Sequence, residues 1–162
     1  MVNTFIPYSD FTKIAKVLDS KRLGKQRVEA KQILNILLGK AKSNAWKNHP
    51  AVLMWRGYET ALKYYHNVMI DEWKLRGYVN TMRKYIIPKK IAMPWFLYSK
   101  PILDSYRANL LRKDMEHYSK YFKVNPIYMK RSYIWISHLN DDQIDTMKNN
   151  KKININEYAK KN

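Results

Sequence analysis

The stretch LDSKRLGKQRVEAKQIL, from Leu18 to Leu34, constrains the fold most, because its apolar residues recur at the spacing of one α-helical face. The pattern predicts a helix from about Ser20 to Leu38 that ends at Gly39. Five Lys or Arg residues lie between the apolar ones, so the opposite face is strongly cationic. The residues of the predicted buried stripe are Leu23, Ala30, Ile33, Leu34 and Leu37.

Helical spacing also recurs on both sides of this stretch. Phe11, Ile14, Ala15 and Leu18 predict a short helix, with Ser9 and Asp10 as candidate caps. NHPAVLMWRGYETALKYYHNVMIDEWKLRGY predicts one long helix, entered through Pro50, capped by His49 and stopped by Gly77. The predicted core face of that helix consists of Tyr58, Ala61, Leu62, Tyr65, Met69 and Trp73.

The second half of the chain alternates between loop and helix. Pro88, Pro94 and Pro101 predict a loop with short turns over 85–101. PILDSYRANLLRKDMEHYSKYF returns to helical spacing, with a break predicted near Asp114. After residue 139 the composition changes to Asp, Asn and Lys, so we expect one helical domain over 1–139 and a basic, solvated tail over 140–162.

Composition limits both the fold classes and the kinds of binding partner to be expected for this chain. The chain has 31 Lys and Arg against 13 Asp and Glu, a net charge of +18. Such an excess favours a nucleic acid partner over a membrane surface, although a bias toward Lys codons would raise the same count. Hydrophobic residues at 46% argue against disorder, and only four glycines among 162 residues argue against a many-turned β sandwich. We therefore expect a single compact all-α domain with long loops.

Residues that commonly hold metals or form disulfides are scarce. The chain has no Cys, and its four His are scattered without ligand-like spacing, so we expect no metal and no cofactor. No apolar run approaches the length of a membrane span, and the N-terminus lacks an apolar signal core. We expect a monomer that acts in the cytoplasm or on the nucleoid.

Glu29 is the one acid between Lys21 and Lys31, the first and last cations of this stretch. On a helix, Arg22, Gln26 and Glu29 are spaced i, i+4 and i+7, which predicts one shared surface face. Glu29 could simply pair with a neighbouring cation such as Arg22, Lys25 or Arg27, a common and weak interaction. Alternatively, cations that hold DNA phosphates would keep this carboxylate ionised beside a sugar, where it stabilises an oxocarbenium-like charge or moves a proton.

The segments NTFIPYSDF, LDSKRLGKQRVEAKQIL, NHPAVLMWRGYE, EWKLRGY and RANLLRKDMEHY resemble the pyrimidine-dimer DNA glycosylase family, the endonuclease V type first known from a phage. The resemblance covers about Asn3 to Trp135 and is closest to short members of the family. It implies a small all-α domain that kinks damaged double-stranded DNA, everts a nucleotide and cleaves the glycosylic bond, with no cofactor.

The resemblance also implies a catalytic pair. Family enzymes use an N-terminal α-amine to form a Schiff base, together with one essential Glu on the second helix, which aligns with Glu29. Val2 is the candidate nucleophile if Met1 is removed; otherwise the Met1 amine serves, or the enzyme hydrolyses without a lyase step. Two positions depart from the family pattern: Arg22 stands where family enzymes have a His that assists catalysis, and Gln26 stands where they have a second Glu. The side chains that assist the nucleophile are therefore expected to differ from those of the family.

Further cations and aromatics are candidate DNA contacts. Lysine and arginine suit phosphates, asparagine can also bond to a base edge, and a flat ring can stack on an everted base. Each of these residues could instead be a solvated or core side chain. The candidates for phosphate or base contacts are Lys21, Lys25, Arg27, Arg56, Arg107, Asn109, Arg112 and Lys113, and the candidates for stacking are Trp95 and Tyr98.

These observations predict a DNA repair glycosylase for damaged pyrimidines in duplex DNA, with or without abasic-site lyase activity. Two alternatives stay open. A glycosylase of the same fold could remove another modified base, as the departures at Arg22 and Gln26 suggest. A non-catalytic nucleic-acid-binding protein could keep the fold and its charge.

Overall fold

The structure is a computed structural model, and it describes residues 2–162. These residues form seven α-helices and four short 3-10 helices, and none of them belongs to a β-strand apart from one isolated bridge. The prediction of an all-α fold is therefore confirmed. The α-helices are α1 Phe11–Val17, α2 Ser20–Leu37, α3 Pro50–Leu53, α4 Glu59–Leu75, α5 Lys100–Lys113, α6 Met115–Tyr118 and α7 Asp141–Lys148.

The chain divides into two compact units. The first consists of the residues through Phe5 together with Asp10–Pro94, and the second consists of Ile6–Ser9 together with Trp95–Asn162. No helix among residues 2–162 combines the length and the apolar character needed to cross a membrane.

The first unit is built on the packing of α4 against α1 and α2. Asp10 and Asp19 cap α1 and α2 by accepting hydrogen bonds from backbone N–H groups in the first turn. The predicted apolar stripes of both helices are buried, except for Leu37, which is half-buried. Gly24 of α2 lets the Trp73 indole approach, because a Cβ there would lie 2.9 Å from the ring.

The prediction of one long helix from Pro50 to Gly77 is wrong. The helix is interrupted between α3 and α4, where Gly57 adopts a φ of +87°. A Cβ on Gly57 would meet nothing within 4 Å, so this glycine serves a left-handed backbone turn and not close packing. His49 caps α3, as predicted, with its Nδ1 accepting from the Ala51 N–H at 3.1 Å.

The second unit contains α5, α6 and α7. The predicted break at Asp114 is confirmed: its φ of −155° ends α5, and its carboxylate caps α6. The loop predicted over 85–101 is confirmed up to its last residues, apart from a 3-10 turn at Trp95–Tyr98; α5 begins at Lys100. Residues 140–162 form α7 and a 3-10 turn that bury Met147 and Ile155, whereas the domain boundary after residue 139 stays a prediction.

Candidate active site

Glu29 lies in the middle of α2 and is half-buried. Its carboxylate accepts a hydrogen bond from Gln26 Nε2 at 2.8 Å, one helical turn earlier. It also accepts a hydrogen bond from the backbone N–H of Asn3. The carboxylate is therefore held in place from two directions, by its own helix and by the N-terminal segment.

Gln26 is fully buried, which corrects the prediction that it shares a solvent-facing surface with Arg22 and Glu29. It follows Leu23 by three residues and precedes Ala30 by four, so it belongs to the buried stripe of α2. Its interactions explain why an amide is tolerated there. Nε2 donates to the Asn3 carbonyl at 3.1 Å, and Oε1 accepts from the Phe5 N–H at 3.0 Å.

The N-terminal segment, residues 3–5, is buried and is fixed by side chains of two further elements. Trp55 Nε1 donates to Thr4 Oγ1 at 2.8 Å. The Tyr65 hydroxyl lies 2.8 Å from the Phe5 carbonyl and 2.6 Å from Gln26 Oε1. The predicted site did not include Thr4, Trp55 and Tyr65. A buried tryptophan or tyrosine usually needs a hydrogen-bond partner for its N–H or O–H group, and this rule could have drawn attention to Trp55 and Tyr65.

Val2 is half-buried and immediately precedes this fixed segment. Successive backbone nitrogens lie no more than about 3.7 Å apart, because three covalent bonds join them. The Val2 nitrogen is therefore one residue from the N–H that donates to Glu29. Val2 also lines a surface cavity of about 520 Å³ together with Gln32, Lys42 and Trp46. The alternative nucleophile, the Met1 amine, lies outside the described residues.

The pKa of the Glu29 carboxyl is affected more by burial than by the surrounding cations. Burial raises the pKa of the Glu29 carboxyl, and this outweighs Lys25, the Asn3 N–H and the Gln26 amide, which each lower it. Among residues 2–162, no Lys or Arg nitrogen lies within 4.0 Å of the carboxylate. Simple pairing with a neighbouring cation therefore does not explain why Glu29 is there, and its raised pKa suits a group that exchanges protons.

An open cavity of about 530 Å³ adjoins Glu29 on the outer face of α2. Lys21 and Lys25, which are both exposed, line it. Trp73 closes one side, and Gln32 borders both this cavity and the one lined by Val2. The half-buried carboxylate thus has access to a cationic surface where a phosphate backbone could lie.

Arg27 lines the same cavity but is partly engaged within the protein. Its guanidinium lies 4.3 Å from the centre of the Trp73 ring, and its Nη1 donates to Asn80 Oδ1 at 2.7 Å. Burial lowers its pKa. Trp73 in turn stacks on Tyr78, with ring centroids 4.1 Å apart. Arg27 therefore has a structural role in addition to any contact with DNA.

The remaining predicted residues of the first unit are Arg22 and Arg56. Arg22 is half-buried and forms an ion pair with Asp19 at 3.1 Å, one turn earlier on α2. Arg56 is exposed, and its Nη2 donates to the Lys47 carbonyl at 3.3 Å. Arg56 therefore lies where a phosphate could reach it.

The predicted residues of α5 bind mainly to their own unit. Arg107 Nε donates to the Pro7 carbonyl at 2.8 Å, and its Nη1 pairs with Asp104 at 3.0 Å. Asn109 is buried; its Nδ2 donates to the Ser105 carbonyl, and its Oδ1 accepts from Arg112.

Arg112 also donates to the Tyr128 and Met129 carbonyls, so it fastens the 3-10 turn at Pro126–Lys130 to α5. Lys113 is exposed. Roles in DNA binding for these α5 residues stay predictions.

The two stacking candidates differ in exposure. Trp95 is half-buried and packs against Phe96, with Lys148 Nζ 5.5 Å from its ring centre. Tyr98 is 59% exposed, so its ring is accessible to a flat ligand. Among residues 2–162, no three His, Asp or Glu side chains group as metal ligands would.

Comparison with known protein families gives a match that covers just over half of the chain. A family model described as pyrimidine dimer DNA glycosylase matches residues 2–86, which is 85 of the 162 residues. The matched range contains Val2, Gln26, Glu29 and the elements that hold them. No curated protein and no solved structure matches the chain.

Proposed function

This chain belongs to the pyrimidine dimer DNA glycosylase family, and from that membership we propose that it excises damaged pyrimidines from duplex DNA. The reaction breaks the N-glycosylic bond between the damaged base and its deoxyribose. The observation that carries the proposal is the half-buried Glu29 carboxylate, held by Gln26 and Asn3 beside the start of the chain and a cationic cavity.

Glu29 would act on the sugar. As the glycosylic bond breaks, its electron pair leaves with the base, and positive charge develops on C1′ and the ring oxygen. An ionised Glu29 stabilises this charge and then accepts a proton. The burial that raises its pKa supports the second role, because a general base works best when its pKa approaches the working pH.

The α-amine of Val2 would act as the nucleophile once Met1 is removed. The neutral amine attacks C1′, loses a proton and forms an imine with the opened sugar. An α-amine has an ordinary pKa of about 7.7–8.0, so a useful fraction is neutral near pH 7. Abstraction of a 2′ proton would then expel the 3′ phosphate, which is the abasic-site lyase step.

Phosphates would be held by exposed cations, two of which line the cavity beside Glu29. Lys21 and Lys25 supply charge on the outer face of α2, and Arg56 adds a cation after α3. These contacts position DNA without reading sequence, as suits an enzyme that recognises a lesion and not a base order. The net charge of +18 supports the same partner.

The test is incubation of the purified protein with end-labelled duplex DNA that carries one cyclobutane thymine dimer, with and without borohydride. We expect strand cleavage and a covalent adduct trapped by reduction of the imine. Undamaged duplex is the matched substrate control. Cleavage only after alkali would mean a glycosylase without the lyase step, and no product despite DNA binding would overturn the proposal.

The nucleophile needs a separate control. The intact mass of the protein establishes whether Met1 is present. Val2→Leu preserves the apolar side chain but favours retention of Met1, so it should abolish trapping if the Val2 amine is the nucleophile. Undiminished trapping in Val2→Leu with Met1 retained would assign the imine to another amine.

A further inference from the structure

A second cationic cleft lies in the residues that follow the range matched by the family. It has a volume of about 450 Å³. Its walls come from the start of α5, the 3-10 turn at Pro126–Lys130 and the segment 150–155 that follows α7. All of these elements belong to the second compact unit.

Asn150 fixes one wall of this cleft. Its Oδ1 accepts from the Lys100 N–H at 2.9 Å, and its Nδ2 donates to the Tyr98 carbonyl at 3.0 Å. Its φ of +51° is a left-handed conformation that asparagine tolerates better than most residues. The next two residues, Lys151 and Lys152, are thereby held at the cleft instead of trailing from a free tail.

The charges that line the cleft are mostly uncompensated. Its one carboxylate, Asp104, is 7% exposed and already pairs with Lys100 at 2.5 Å and Arg107 at 3.0 Å. By contrast, within residues 2–162 no carboxylate lies within 4.0 Å of the ammonium groups of Lys123, Lys151 and Lys152.

The neutral polar groups of the cleft are mainly hydrogen-bond donors. Asn125 and Asn154 each use the side-chain oxygen to cap a turn, accepting from Ile127 and Asn156 N–H groups at 3.1 Å. This leaves their Nδ2 groups without a partner in the described part of the chain. Burial, with Asp104 nearby, raises the pKa of Tyr128 to about 12, so its hydroxyl stays protonated.

We propose that this cleft is a second phosphate-binding site, in which Lys123, Lys151 and Lys152 hold the sugar-phosphate backbone of DNA. Ammonium and amide donors around a compensated carboxylate select a ligand that offers acceptors and negative charge, as phosphodiesters do. The proposal rests on the proposed function only in taking DNA as the partner. It adds a DNA contact outside the family-matched range, in which the Asn/Lys-rich C-terminal segment takes part.

The test compares two charge reversals in the full-length protein. Lys151→Glu/Lys152→Glu alters the cleft, and Lys160→Glu/Lys161→Glu makes the same change in net charge on exposed lysines that do not line it. Duplex DNA binding is followed by fluorescence anisotropy over a range of salt concentrations. Loss of two phosphate contacts should reduce the slope of log affinity against log salt by about 2 in the cleft variant, with a much smaller change in the control.

Equal effects of the two pairs would overturn the proposal, since net charge alone would then explain the loss. The comparison remains informative if the protein fails to cleave dimer-containing DNA, because it measures binding and not turnover. Conversely, normal cleavage with equal slopes would leave the proposed function standing and remove the second site.

Asn150→Gly provides a variant without any change in charge. Glycine accepts the left-handed backbone but removes both hydrogen bonds that fix the segment. We expect a smaller reduction of the salt slope than in the double reversal, at an unchanged circular dichroism spectrum. An unaltered slope would show that placement of Lys151 and Lys152 by Asn150 does not contribute to binding.

Discussion

Helices α2 and α5 each contain one buried amide side chain, Gln26 and Asn109, and the two amides bind different kinds of partner. Gln26 of α2 hydrogen-bonds to the N-terminal segment and to the carboxylate of Glu29. Asn109 of α5 bonds to its own helix and to Arg112, which fastens a surface turn. Burial of an amide therefore does not identify a functional site by itself. Gln26 differs from Asn109 in that one of its partners is the carboxylate proposed to be catalytic.

The same contrast applies to the charged groups of the two helices. Glu29 lies near cations without an ion pair among residues 2–162, and its pKa is raised. Asp104 of α5 is almost fully buried and carries two ion pairs. Asp104 is thus engaged in ion pairs, whereas among residues 2–162 Glu29 has hydrogen-bond donors and no ion pair, an environment that suits the catalytic role proposed for it.

The largest expected effect is the loss of glycosylase turnover when the Glu29 carboxylate is removed. Glu29→Gln should lower glycosylase turnover about 10²- to 10⁴-fold, the usual contribution of a positioned acid or base, while DNA affinity stays close to that of the wild type. Single-turnover cleavage and anisotropy measure the two quantities. Asp145→Asn on α7 is a matched control that removes an exposed carboxylate. Unimpaired turnover in Glu29→Gln would remove the catalytic role.

The second effect compares the two buried amides directly. Gln26→Leu leaves the Phe5 N–H and the Asn3 carbonyl without their partner and should lower the free energy of unfolding by about 3–5 kcal/mol. Asn109→Leu removes fewer bonds and should cost about 1–3 kcal/mol. Urea unfolding measures both losses.

Turnover per folded molecule sharpens this comparison. It should fall in Gln26→Leu, because Glu29 and the N-terminal segment lose their support. The salt slope of DNA binding should not change in Asn109→Leu, since that amide is buried and engaged within the protein. A reduced slope there would instead support the predicted DNA contact of Asn109.

A third effect concerns acid stability and the buried His66 of α4. Burial lowers the pKa of His66 to about 4, with Lys31 and Arg27 contributing. An unfolded histidine titrates near pH 6.5, so the unfolded state takes up this proton first. Stability should fall by about 3 kcal/mol as the pH drops from above 6.5 to about 4.

His66→Leu should remove this part of the pH dependence, as unfolding in urea at several pH values would measure. His138, which is exposed, offers a control in His138→Leu that should retain the slope of the wild type. Equal slopes for wild type and His66→Leu between pH 6.5 and 4 would contradict the assignment to His66.

The smallest expected effect is a gain of stability at the candidate site. The folded pKa of Glu29 is raised, so the folded state favours its protonated form, and that contribution is lost as the pH rises through the folded pKa. Glu29→Gln should therefore be more stable than the wild type at pH 7.5, with a smaller difference at pH 4. Thermal unfolding at both pH values would test this, and a less stable variant at pH 7.5 would contradict it.

Local sequence patterns predicted much of the fold because helices depend on neighbours three and four residues apart. The stripes of α1 and α2, the cap at His49 and the break at Asp114 all follow from short-range rules. The prediction of one long helix failed at Gly57, because spacing along the chain does not show where a glycine leaves the helical conformation. Only the backbone of the folded chain, with φ at +87°, revealed the turn.

The sequence by itself determined the net charge and the helical class, since both can be recognised from residue types and spacing. Its resemblance to the family, and not spacing, made Glu29 the candidate catalytic acid. Tertiary structure decided what surrounds Glu29. Gln26 reaches residues more than twenty positions away, and Tyr65 and Trp55 fix the N-terminal segment from α4 and the turn before it. Spacing along one helix cannot reveal such partners, because they are brought together only when α1, α2 and α4 pack.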